Sequence, residues 1–252
     1  MDSNTSANRK SSRRGTRVNP LGAFVSLALG LVLTVLCMAY AVGVHVTDAD
    51  EFQSATDTAL VQTGILSQEH AARFAQETIG YLTGRRAAWL TEIAVGDQTV
   101  AVPQAFTEHM AQVRQWVILV PYIIPLIIGT VIVLVFVTLI GAMVLRSRMF
   151  SAHGYLLGVL IPLLLAGVCF GWAALDFEGF WKVLHDWLIP GGIFALGEPV
   201  MELFPLTLFA QYTGPVALTF AYMLAFVLLV ALVLKIVDKR VRKRRTARQT
   251  QS

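Results

Sequence analysis

Four long apolar runs divide this chain, at residues 21–44, 116–145, 154–175 and 215–236. Each can cross about 30 Å of hydrocarbon as a helix rising 1.5 Å per residue. They predict an all-α membrane protein with four transmembrane helices: TM1 at 21–44, TM2 at 116–145, TM3 at 154–175 and TM4 at 215–236. Ala39-Tyr40-Ala41 also fits a small-x-small cleavage pattern, and Arg13-Arg14 a twin-arginine signal. The first run is longer than a cleavable signal's apolar region, so it reads as a retained span.

The pattern changes between the runs. In 45–115, Ser67 is a candidate N-cap for a helix to about Leu82, with Phe74, Thr78, Tyr81 and Leu82 on one face. Thr91–Val95 and Gln98–Val102 bracket Gly96-Asp97, a pair suited to a tight hairpin turn. Pro103 ends the hairpin, and a helical pattern runs from Gln104 through Trp116 into TM2, with Pro121 and Pro125 placed to kink it. So small a segment holds too little apolar surface for its own core, and it is expected to pack down on the membrane part.

Residues 176–205 are apolar enough to touch a membrane and too broken to cross one. Read as a helix, Phe177, Phe180, Trp181, Leu184, Trp187 and Leu188 share one face, with His185 at the seam, before Pro190-Gly191-Gly192 stops it. Its aromatic rings suit the headgroup boundary. The fold expected is therefore four spans, a small extracytoplasmic domain of short helices plus a β-hairpin, and an interfacial or re-entrant helix before the last span.

Composition agrees: 56% of residues are hydrophobic, 14% are charged, and the mean hydropathy is +0.64. Charge sets the orientation. Of the basic residues, Arg9, Lys10, Arg13, Arg14 and Arg17 precede TM1, Arg146 and Arg148 follow TM2, and the tail from Lys235 is rich in Lys and Arg. All the acidic residues except Asp2 and Asp238 fall in 45–115 and 176–214. Because Lys and Arg beside membrane spans are retained in the cytoplasm, the basic N-terminus 1–20, the loop 146–153 and the basic tail 237–252 are expected inside. The extracytoplasmic domain 45–115 and the interfacial segment 176–214 are then expected outside, on a multi-pass protein of the cytoplasmic membrane. Next to a membrane end, the KRVRKRR tail points to topology and anionic lipid rather than to nucleic acid. Cys37 and Cys169 sit inside apolar runs as small hydrophobes.

Among five histidines, His153 reads as a boundary residue, and His45 and His70 as structural. His109 and His185 each enter a short helical segment leading to the same membrane surface, where they could converge. The sequence holds no HExxH, CxxC, GxSxG or phosphate-binding glycine loop, and its acidic residues lack ligand-like spacing. No metal or cofactor is expected. Four spans without a buried charge make a poor ion pathway.

Residues 106–114, FTEHMAQVR, and 176–205 resemble the two signature segments of the bacterial lipoprotein intramolecular transacylase family of four-helix membrane proteins. The matching positions are His109, Met110, Val113 and Arg114, then Asp176, Phe177, Phe180, His185, Pro190, Gly191, Gly192, Leu203, Phe204 and Pro205. Gln112 stands where the family has Asp, and Ile193-Phe194 replaces a polar-Trp pair.

The resemblance implies an acyltransferase of lipoprotein biogenesis. Its substrate would be a diacylglyceryl-modified lipoprotein in membrane lipid, and the sn-2 acyl chain would move onto the N-terminal cysteine amine, giving the lyso-form. Histidine, with an ordinary pKa of about 6.5, can serve as acid or base in such a transfer. His109 and His185 are the expected catalytic pair, with Glu108, Arg114, Glu178, Asp186, Gly191 and Gly192 as supporting candidates. The alternative is a non-catalytic integral membrane accessory protein whose outer surface is a docking site.

Overall fold

The computed structural model describes residues 20–95, 98–143, 150–189 and 199–249. The helices are α1 (Pro20–Val46), α2 (Ala49–Thr56, extended by a π turn at Asp57–Val61) and α3 (Gln68–Leu82). Strands β1 (Glu92–Val95) and β2 (Gln98–Ala101) follow, then α4 (Gln104–Val117), a 3-10 turn at Val120–Tyr122 and α5 (Ile123–Met143). The rest is α6 (Ala152–Leu175), α7 (Phe177–Leu188), a 3-10 turn at Pro199–Leu203, α8 (Leu206–Ala210) and α9 (Thr213–Gln249).

Four segments among the described residues are long and apolar enough to cross a membrane: Pro20–Val46, Gln104–Ile140, Ala152–Leu175 and Thr213–Val237. The second is not uniform. The mixed polar helix α4 carries Glu108, His109 and Arg114, whereas the apolar helix α5 spans 21 residues, about 31 Å of rise. We therefore read α5, and not α4, as its membrane-crossing part. The outward faces of these helices are apolar: Phe24 is 67% exposed and Val168 69%. A surface of that kind is stable against lipid tails and not against water.

Two compact units can be distinguished, one of Met1–Leu36, Leu126–Leu165 and Leu224–Ser252, the other of Cys37–Pro125 and Ala166–Met223. In the first, α1 and α6 approach through glycine. A Cβ on Gly30 would strike the Tyr155 carbonyl, and one on Gly154 or Gly158 would strike the carbonyls of Ala23 and Leu27. Lipid tails are as apolar as leucine, so helices in a bilayer gain little from hydrophobicity and associate through close backbone contact and interhelical hydrogen bonds. Both are present. Ser151 N–H donates to Ser26 Oγ (2.9 Å), and the fully buried Tyr155 donates its hydroxyl to Val227 O of α9 (3.0 Å).

The second unit is built on a hydrophobic core. Asp48 caps α2 by accepting from Asp50 and Glu51 N–H, and Ser67 caps α3 at His70 N–H. Helix α3 ends where Gly84 takes φ +80°, a conformation that costs glycine nothing. Phe74, Thr78, Tyr81 and Leu82 are all buried, as the spacing predicts. The hairpin pairs Glu92 with Ala101 and Val95 with Gln98; its turn, Gly96-Asp97, lies outside the described residues. Trp89 donates Nε1–H to Thr78 Oγ1 (3.1 Å) and packs against Phe106 and Phe204.

Three differences from the sequence expectation stand out. The small domain has a core that it does not build alone: Val200, Leu203 and Leu208, from a segment about a hundred residues later, complete it, with Phe204 packed against them. The expected start of TM2 at 116 falls on a break: α4 stops at Val117, and Pro121, which cannot donate a helical hydrogen bond, sits in the 3-10 turn before α5. The last helix runs past TM4 to Gln249, so the basic tail is largely helical. Arg146 and Arg148 lie outside the described residues.

Candidate functional site

His109 is placed by α4. Pro103 has no N–H to satisfy and accepts from Phe106 N and Thr107 N (3.0 and 3.1 Å), starting the helix so that Phe106, His109 and Met110 share its buried face. His185 is placed by α7, which begins where Asp176 Oδ1 accepts from Gly179 N–H (2.9 Å) and ends where Ile189 N–H donates to His185 O (2.8 Å). The segment between them brings Phe177, Phe180, Trp181 and Leu184 partly under cover. Trp187, expected on the same face, is 78% exposed.

The two imidazoles meet. Their ring centroids are 4.8 Å apart with planes 33° from parallel. Phe106 lies 5.8 Å from His109, Trp181 lies 5.9 Å from His185, and Phe209 of α8 packs on Trp181 at 4.8 Å. His109 is 9% exposed and His185 half-buried. Aromatic rings therefore bound the pair and reduce its contact with water.

That enclosure sets the charge. Burial, and then the neighbouring His185 charge, lower the His109 pKa from 6.5 to about 4. Burial also lowers that of His185, partly offset by the carboxylate of Asp186. Near pH 7 both rings are neutral, and two imidazoles this close repel a second proton, so the pair holds one proton at a time. Such a site can accept a proton from an ammonium group and pass one to a departing oxygen.

Of the supporting candidates, Asp186 is the one whose charge acts on the pair. Glu108 is exposed and accepts from Gln104 Nε2 (2.8 Å). Arg114 points elsewhere: its guanidinium lies 4.8 Å over the Tyr81 ring, and Nη1 donates to Ala87 O (3.3 Å). Glu178 is exposed in the first turn of α7, about 10 Å of helix rise from His185. Gly191 and Gly192 lie outside the described residues, as do Pro190, Ile193 and Phe194. Gln112 is exposed on α4. Among the described residues, no group of three His, Cys, Asp or Glu side chains could hold a metal ion. A cleft of about 610 Å³ lies elsewhere in this unit, lined by Tyr40, Val44, Arg85, Ile118, Val120 and Ile124 among others.

One constellation was missed. His45, expected to be structural, has Nδ1 2.7 Å from Glu51 Oε2 and Nε2 2.8 Å from Thr219 Oγ1. The His45–Glu51 half was accessible in principle, since a capping Asp48 between them forces the turn that returns Glu51 towards His45. Thr219, 174 residues away, carries no sequence signal. His70 and His153 are exposed and touch neither cluster.

Searches against protein-family models, curated proteins and solved structures found no match to this chain.

Proposed function

We propose that this chain is a membrane acyltransferase of the lipoprotein intramolecular transacylase kind, with His109 and His185 as its acid–base pair. The observation that carries the reading is the meeting of two neutral imidazoles, 4.8 Å apart, from segments 76 positions apart in sequence. Both segments are the ones whose residues resemble that family. The substrate is a lipoprotein whose N-terminal cysteine bears a diacylglyceryl group. The protein sits in the cytoplasmic membrane with both ends inside and the pair at the outer face.

The proton balance fits a pair that holds a single proton. The α-ammonium loses one proton to an imidazole, which releases it to solvent, and the free amine attacks the sn-2 ester carbonyl. A C–N bond forms. The tetrahedral adduct loses its second nitrogen proton to the pair, which delivers it to the glyceryl oxygen as the ester C–O bond breaks. Donor and acceptor belong to one molecule, so positioning contributes much of the rate and no acyl-enzyme is required. Acid–base assistance of this kind is worth about 10²–10⁴ in rate.

The test is mass spectrometry of lipoprotein N-termini from cells with and without the chain. The lyso-form should appear with it and vanish with His109→Ala or His185→Ala at unchanged protein abundance. The double variant should lose little more than either single one, because residues acting as a unit are not additive. An unchanged N-acylated product in His185→Ala would remove the enzyme reading and leave the docking protein.

A further inference from the structure

The second cluster has the connectivity of a nucleophile, a base and an orienting acid. Glu51 presents both carboxylate oxygens to His45 Nδ1, at 2.9 and 2.7 Å, and a carboxylate only accepts hydrogen bonds. Nδ1 therefore carries the proton. In the neutral ring Nε2 is then the acceptor, and the Thr219 hydroxyl 2.8 Å away must donate to it. That orientation is the one in which an imidazole removes a hydroxyl proton.

The surroundings are built for this arrangement. Asp48 Oδ1 accepts from Glu51 N–H at 2.9 Å, fixing the backbone that carries the acid. The His45 side chain is 13% exposed and that of Glu51 39%. A second hydroxyl lies at the same end of α9: Tyr212 Oη is buried and has no hydrogen-bond partner among the described residues. Burial and the charges of Glu51 and Asp48 keep it in its O–H form, so it has a proton to offer an incoming acceptor.

We propose that Thr219 is the nucleophile of an acyl-ester hydrolase site, with His45 as its base and Glu51 as the positioning residue. Substrate class follows from location. Thr219 lies about 9 Å of helix rise beyond the start of α9, a helix apolar enough to span a membrane. With α9 read as a span, Thr219 lies near its end, the level at which headgroups meet acyl chains and the ester carbonyls of glycerolipids lie. Leu218 and Tyr222 beside it are exposed, so the hydroxyl adjoins a lipid-facing surface. In the reaction Thr219 Oγ attacks the ester carbonyl while its proton passes to His45 Nε2. The imidazolium returns that proton to the leaving glyceryl oxygen, giving an acyl-threonine ester and a lysolipid. Water, deprotonated by the same imidazole, then frees the fatty acid and restores Thr219.

The test uses the full-length protein in detergent micelles and an alkyl p-nitrophenyl phosphonate, which mimics the tetrahedral step and leaves a stable adduct. Attack forms a Thr219 O–P bond and releases p-nitrophenolate. About one equivalent should be released, with the added mass on the peptide containing Thr219. Thr219→Ala should abolish the adduct, Thr219→Ser should retain it, and His45→Gln should slow it by about 10²–10⁴. Glu51→Gln should slow labelling and Glu51→Asp should restore part of it, because the shorter carboxylate can still accept from Nδ1–H and hold the ring. His70→Ala, at an exposed histidine outside the cluster, should label as the parent does. No adduct on Thr219 in the parent protein, or equal labelling of the parent and His45→Gln, would overturn the proposal and leave the cluster as a structural tie.

Discussion

Acid should weaken this protein through His109 specifically. In the unfolded chain the imidazole titrates at its ordinary 6.5; in the fold, burial and the neighbouring His185 hold it at about 4. Because the folded pKa is the lower one, the unfolded state binds more protons between these values, and stability falls as pH falls. The contribution is intact above pH 6.5, declines through the interval and is fully lost below about pH 4. At about 1.4 kcal/mol per pH unit the loss is at most about 3 kcal/mol, a large fraction of a typical domain's stability. Exposure of 9% leaves little solvent to screen it. The measurement is unfolding of the purified protein in neutral detergent from pH 7.5 to 4, beside His109→Phe, which retains an aromatic ring and cannot titrate. Carboxylates titrate in both proteins and cancel in the difference. His109→Phe should lose less stability over that range, by about 2–3 kcal/mol. Parallel curves would refute the argument, since they would mean that His109 takes up its proton in the fold as readily as in water.

Three other expectations concern the framework. Leu203→Ala should destabilise the second unit by about 2–5 kcal/mol, because Leu203 is fully buried in a core drawn mostly from residues 52–110; limited proteolysis of residues 83–103 would report it. Gly158→Leu should lower the melting temperature and the yield of folded protein, since its side chain would start inside the backbone of α1 at Leu27 and Leu31, and overpacking of this kind costs about 1–3 kcal/mol or more. In the proposed orientation, a reporter active only outside the membrane should work when fused at residue 100 and fail after Ser252; the reverse pattern would invert the topology.

What the sequence alone determined follows from local physics. Apolar runs of span length, the Ser67 cap and the hairpin flanking Gly96-Asp97 each depend on residues within a few positions of one another. Backbone hydrogen bonding and the period of side chains along a helix or strand are properties of such short stretches. Histidines 109 and 185 could be singled out for the same reason, as members of recognisable local segments. Tertiary structure alone decided which distant residues meet. It set the two imidazoles 4.8 Å apart, completed the core of the small domain with Leu203 and Leu208, turned Arg114 towards Tyr81, and delivered Thr219 to His45. Those outcomes depend on how helices pack, and packing is selected by complementary surfaces and buried area across the whole chain. A single threonine near the start of an apolar helix looks the same in sequence whether or not an imidazole waits beside it.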